Sequence, residues 1–123
     1  MTLPPVPDSP LADTVLERLM TVYAAAADPA LVPVMDEWIE DDNLWIVRTA
    51  LLHQLRYKDA TDRERLFRYC LRQSDHPDFF IRKAIGWSLR EYAKTDPDAV
   101  RAFVAGARDR LAPLSVREAL KNI

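Results

Sequence analysis

Residues 79–94 read FFIRKAIGWSLREYAK, and this stretch decides the fold. At about 100° per residue, Ile81, Ile85, Leu89 and Tyr92 share one arc, the apolar stripe of an amphipathic helix. Lys83, Trp87, Arg90 and Lys94 share the opposite side, a cationic stripe with an indole set into it. Cations neutralise phosphates, and an aromatic face offers stacking or cation–π attraction to a base or sugar. Gly86, in a helix interior, costs roughly 1 kcal/mol relative to alanine. Its expected purpose is to let another backbone approach closely.

Outward from this helix, prolines and caps divide the chain into about seven helices. They are expected near residues 10–27, 30–41, 43–57, 62–74, 78–94, 97–110 and 115–122. Pro33 falls in a first turn, where proline is tolerated, Pro77 precedes the fifth helix and Pro97 opens the sixth. Thr61 with Glu64, and Ser115 with Glu118, have capping-box spacing. No stretch sustains a period of two. With 123 residues, two glycines and nine prolines, the chain reads as all-α. Residues 1–9 read as a disordered Pro-rich lead and 10–123 as one domain.

The strings Arg48-Thr49-Ala50-Leu51, Arg82-Lys83-Ala84-Ile85 and Arg117-Glu118-Ala119-Leu120 share an Arg-x-Ala-aliphatic core. A repeat of this length belongs to stacked helical hairpins. The third, fifth and seventh helices are then expected to line one common wall. On the third, Val47, Leu51 and Leu55 form the inner stripe, Trp45 reads as core or rim, and Arg48 is the better contact residue.

Net charge is −2, but its distribution is uneven. Residues 1–42 hold one basic and nine acidic residues; residues 43–94 hold eleven basic and six acidic. A basic middle suggests a local anionic partner, or else a solvated arginine-rich surface. The lone Cys70 excludes a disulfide framework and fits a reducing cytoplasm. No signal peptide or membrane span is visible. His53 and His76 are isolated and read as packed or surface residues. The cluster Glu37, Glu40, Asp41, Asp42 reads as a solvated face and not a metal site. No cofactor motif is present.

Residues 38–58 (WIEDDNLWIVRTALLHQLRYK) and 79–121, above all FFIRKAIGWSLREYAKTDP and PLSVREALK, closely resemble the AlkD family of DNA alkylation repair proteins. The resemblance implies a solenoid of HEAT-like repeats that binds double-stranded DNA and excises purines alkylated at N3 or N7. It carries Trp87 onto the family's catalytic-site tryptophan. Arg48 falls on an arginine approaching the DNA backbone, and Lys83 and Arg90 on basic flanking positions. The catalytic aspartate falls on Asp13 in an ungapped extension, where Ser9 replaces the family's tryptophan. A shifted alignment places Leu16 there instead.

By this resemblance the chain looks like the C-terminal half of that family's fold. Three expectations stand: a glycosylase using Asp13, Trp87 and Arg48, for which self-association as a homo-oligomer is one way to rebuild a full cleft; a non-catalytic DNA-binding module; and a protein-interaction scaffold.

Overall fold

A computed structural model of the protein describes residues 29–123. The expected helix at 10–27, the Pro-rich lead and Asp13 lie outside the described residues. Within them are six α-helices and no strand: α1 (Val32–Trp38), α2 (Leu44–Leu52), α3 (Arg63–Arg72), α4 (Phe79–Ala93), α5 (Pro97–Ala107) and α6 (Pro113–Ala119). Short 3-10 turns, Pro29–Leu31 and Lys58–Ala60, precede α1 and α3.

Four starts are set by side chains that accept an otherwise unbonded amide. Asn43 accepts from Trp45, Asp62 from Arg65, Asp78 from Phe80 and Asp96 from Ala99. Pro33 and Pro97 lie in first turns, as expected. The two capping boxes do not form. At α3 the cap is Asp62, one residue after Thr61, because the Gln54 side chain fixes it. The Asp62 amide donates to Gln54 Oε1 at 2.6 Å, and Gln54 Nε2 donates to the Asp62 carbonyl at 3.2 Å. At α6 the helix begins two residues before Ser115, on Pro113, whose ring presets φ. The Ser115 hydroxyl instead donates to the Arg82 carbonyl at 2.7 Å, on another helix.

α2 ends at Leu52, short of the expected residue 57. Beyond it the amides of Leu55 and Tyr57 bond three residues back, a tighter winding than an α-helix. Lys58 then takes a φ of 53°, in the left-handed region that turns the chain toward α3.

The helices form two layers. α2, α4 and α6 lie side by side, α4 in the middle, and neighbours in sequence also pack together, α3 meeting α4 through Cys70 beside Ser88 and Phe67 against Tyr92. The repeated alanines explain this layer: Ala50, Ala84 and Ala119 are all buried, and their small side chains let the helices come close. α1, α3 and α5 form the second layer. Tyr69 and Arg65 on α3 bond to Asp36 on α1, while Phe67 on α3 stacks on Phe103 on α5 with ring centroids 4.2 Å apart.

Between the layers runs one core. Val47, Leu51, Leu52, Ile81, Ile85, Leu89, Val100 and Val104 are each at most 1% exposed. Each side chain of this kind contributes about 1.5–3 kcal/mol through burial. Cys70 lies in the same core beside Ser88, and burial pushes its thiol up to about 12.

Candidate nucleic-acid interface

Because Ile81, Ile85 and Leu89 are anchored in the core, the other side of α4 must face outward. The structure places Lys83, Trp87, Arg90 and Lys94 there. Lys83 and Lys94 are exposed, and Trp87 and Arg90 are half-buried. The indole is therefore not sealed into the core, although it packs against the core's edge.

Arg48 reaches this site from α2. Its guanidinium carbon lies 5.8 Å from the centroid of the Trp87 ring, within cation–π range. Arg48 is 6% exposed, so the packing of α2 against α4 holds it in place. Two residues 39 positions apart in the chain are thus brought into one constellation. Trp45 is buried, as expected for core or rim, and its ring lies 5.2 Å from that of Phe80.

Gly86 lies at the contact of α4 with α6. A Cβ built there would come within 2.5 Å of Glu118 Cβ and 3.1 Å of the Ser115 carbonyl oxygen. The expected close backbone approach is present, and α6 makes it. The same contact delivers Glu118 to Arg90, an ion pair of 3.0 Å.

Electrostatically, the stripe is less free than its composition suggests. Arg90 pairs with Glu118, and Lys94 pairs with Glu91 at 3.1 Å, a carboxylate that also meets Arg56 at 3.4 Å. Lys83 has no carboxylate within 4 Å among the described residues; its ammonium sits 5.7 Å from the Phe79 ring centroid. Of the three cations on the outward side of α4, Lys83, Arg90 and Lys94, Lys83 is the one presented without an anionic partner among the described residues.

The wider basic middle is also engaged internally. Arg65 and Arg68 pair with Asp36, Arg72 with Glu40 and Arg63 with Asp96. Asp36 is held below its ordinary range first by the Tyr69 hydroxyl and then by Arg65 and Arg68. Arg72 likewise holds Glu40 low. Acids from the chain's acidic third thus absorb several of these cations, and charge counting overstated the surface available to an anionic partner.

Phe79 and Phe80, at the start of α4, are 53% and 41% exposed, a pair that the apolar stripe of the helix does not single out. The helical wheel carries the signal for them, since both fall on the same side as Lys83 and Trp87. Among the described residues no cluster of His, Cys, Asp and Glu could hold a metal ion, and no helix is long and apolar enough to cross a membrane. His53 is buried and bonds through Nδ1 to the Ala50 carbonyl at 2.7 Å; His76 Nδ1 accepts from the Asp78 amide.

The arrangement offers an aromatic face, a cation braced against it and an outward lysine, the elements of a polyanion-binding surface. Comparison with known proteins agrees: the family model of the DNA alkylation repair enzymes matches residues 6–123. The chain belongs to the DNA alkylation repair enzyme family. Its structure is similar to that of a predicted DNA alkylation repair enzyme from Enterococcus faecalis, with a TM-score of 0.77 and 31% identity. The match covers 88% of this chain and 51% of the other, so the chain spans about half that protein's length. No curated protein matches. Trp87, Arg48, Lys83 and Arg90 therefore lie within the matched portion of a DNA alkylation repair sequence.

Proposed function

We propose that this protein is a DNA alkylation repair enzyme of the AlkD type, corresponding to the C-terminal half of that HEAT-like fold. Its substrate is double-stranded DNA carrying purines alkylated at N3 or N7, and its setting is the cytoplasm. The observation that carries the reading is the Arg48 guanidinium braced against the Trp87 indole on the outward face of α4, with Lys83 one turn away.

The chemistry follows from the lesion. An N3- or N7-alkylated purine carries positive charge, so it leaves as a neutral base with little help from a general acid. What requires stabilisation is the cationic sugar that develops as the glycosidic bond breaks. The Trp87 face supplies cation–π attraction to that sugar. Asp13 is assigned the carboxylate that adds Coulombic stabilisation and orients the attacking water. Lys83, Arg90 and Arg48 are assigned the phosphate contacts, Arg48 also fixing the plane of the indole. Such a site reads the lesion by charge and does not require the base to enter a pocket.

The test is release of 7-methylguanine or 3-methyladenine from alkylated duplex by purified protein. Asp13→Asn is expected to abolish release and leave DNA binding intact, and Trp87→Ala to reduce release. Unchanged release by Asp13→Asn would overturn that assignment. Duplex binding without release by the wild type would reduce the function to DNA binding.

A further inference from the structure

The two most exposed aromatic side chains among the described residues are neighbours. Phe79 and Phe80 open α4 with rings in edge-to-face contact, centroids 5.4 Å apart. Leaving such rings in water forgoes the stabilisation that burial would give, and two adjoining exposed rings make an apolar surface that a ligand can cover. The pair is also rigidly built. Phe80 rests on the buried Trp45, the Asp78 carboxylate caps the Phe80 amide at 2.8 Å, and the Lys83 ammonium lies over Phe79.

Position on the helix supplies the occupant. At about 100° per residue, Phe79, Phe80, Lys83, Trp87 and Arg90 span an arc of about 100°. The aromatic pair therefore continues the ridge that bears Trp87. Along that ridge, Arg90 and Lys94 are neutralised by Glu118 and Glu91, whereas Lys83 has no carboxylate partner among the described residues. Available positive charge and exposed aromatic surface both lie toward the N-terminal end of α4. The rise from Phe80 to Trp87 is about 10 Å, roughly three nucleotide steps along one strand at about 3.4 Å each.

We propose that Phe79 and Phe80 form a stacking platform for an unpaired or displaced base, with Lys83 holding the adjoining phosphate. This rests on the DNA-binding reading above and adds a second contact, about three steps from Trp87. A base inside a duplex already has stacking partners on both faces. The platform therefore favours duplex with one unpaired nucleotide over fully paired duplex of equal length.

The experiment is titration of both duplexes by fluorescence anisotropy at several salt concentrations, using wild type, Phe79→Ala, the Phe79→Ala/Phe80→Ala pair, Phe79→Trp and Lys83→Ala. Wild type is expected to prefer the duplex with the unpaired nucleotide. Loss of aromatic–base stacking is expected to weaken that complex by roughly 5- to 100-fold. The salt slope should not change, because an apolar contact releases no counterion. Lys83→Ala should lower the slope by about one. Phe79→Trp should restore affinity, which separates stacking from folding defects, and Phe79 is exposed enough for its variants to fold.

Full affinity in the Phe79→Ala/Phe80→Ala variant, with Lys83→Ala still weakening binding, overturns the platform alone. Equal wild-type affinity for the two duplexes also overturns it. No duplex binding by the wild type overturns both the platform and the functional reading beneath it.

Discussion

Gly86 on α4 and Glu118 on α6 stand so close that a β-carbon on the glycine would come within 2.5 Å of the glutamate's own Cβ. Neither atom of that contact is the free end of a flexible side chain. The two helices can therefore accommodate a methyl group only by moving apart, disturbing the Ser115–Arg82 hydrogen bond and the Arg90–Glu118 ion pair at the same seam.

Gly86→Ala is accordingly expected to destabilise the protein. Overpacking of this kind costs about 1–3 kcal/mol, against about 1 kcal/mol gained in helix propensity. The net loss expected in chemical denaturation is up to about 2 kcal/mol. Gly106 is the control: nothing lies within 4 Å of a Cβ there, so Gly106→Ala should stabilise by up to about 1 kcal/mol. A stabilised Gly86→Ala would show that the seam is looser than described.

Tyr69→Phe tests the tie between α1 and α3. The buried Tyr69 donates its hydroxyl to Asp36, a carboxylate that Arg65 and Arg68 also hold. Hydrogen bonds to charged groups contribute about 1.5–3 kcal/mol, and the partial exposure of Asp36 lowers that figure. A loss of about 1–2 kcal/mol is expected, read as a drop of several degrees in Tm.

Acid sensitivity should have a histidine component. Burial holds His53 below its ordinary value of 6.5, so the unfolded chain binds a proton there before the folded protein does. This contribution to stability is complete above about pH 6.5 and is lost as pH falls from there through the lower folded value. Asp36, also held low, adds a second loss below its ordinary value of 3.8. His53→Gln should flatten the stability profile in the upper window and leave the lower one unchanged. A slope that persists just below pH 6.5 would rule out His53 as its source.

Glu118→Gln should strengthen DNA binding while weakening the fold slightly. It removes the carboxylate 3.0 Å from Arg90 and returns one cation to the outward face of α4. A salt slope steeper by about one, with tighter binding, is the expected result. An unchanged slope would mean that Arg90 does not reach a phosphate. The stability cost of this half-buried pair is expected to be about 1 kcal/mol or less.

Much of this architecture was legible from periodicity. The stripe Ile81, Ile85 and Leu89 fixed which way α4 faces, and the recurring Ala50, Ala84 and Ala119 identified the helices that lie side by side. Gly86 was readable because its penalty inside a helix requires a compensating contact. Partnership was less legible. Ser115 and Glu118 have capping-box spacing, yet in space each meets α4, at Arg82 and Arg90. Spacing reports what a side chain can do within its own helix and is silent on a neighbour's offer. The charge surplus misled for the same reason, since Asp36 and Glu40 are remote in sequence from the arginines they neutralise. Phe79 and Phe80 were overlooked because exposed phenylalanines look like core residues until the fold shows what they cover.

The single sulfhydryl among the described residues, Cys70, offers a built-in clock. It is shut in the interior and resists ionisation, so a thiol-reactive dye cannot modify it while the surrounding helices are closed. The pace of its modification then reports how often the interior opens, and adding alkylated duplex would slow that pace in proportion to how firmly the bound strand clamps the helices shut.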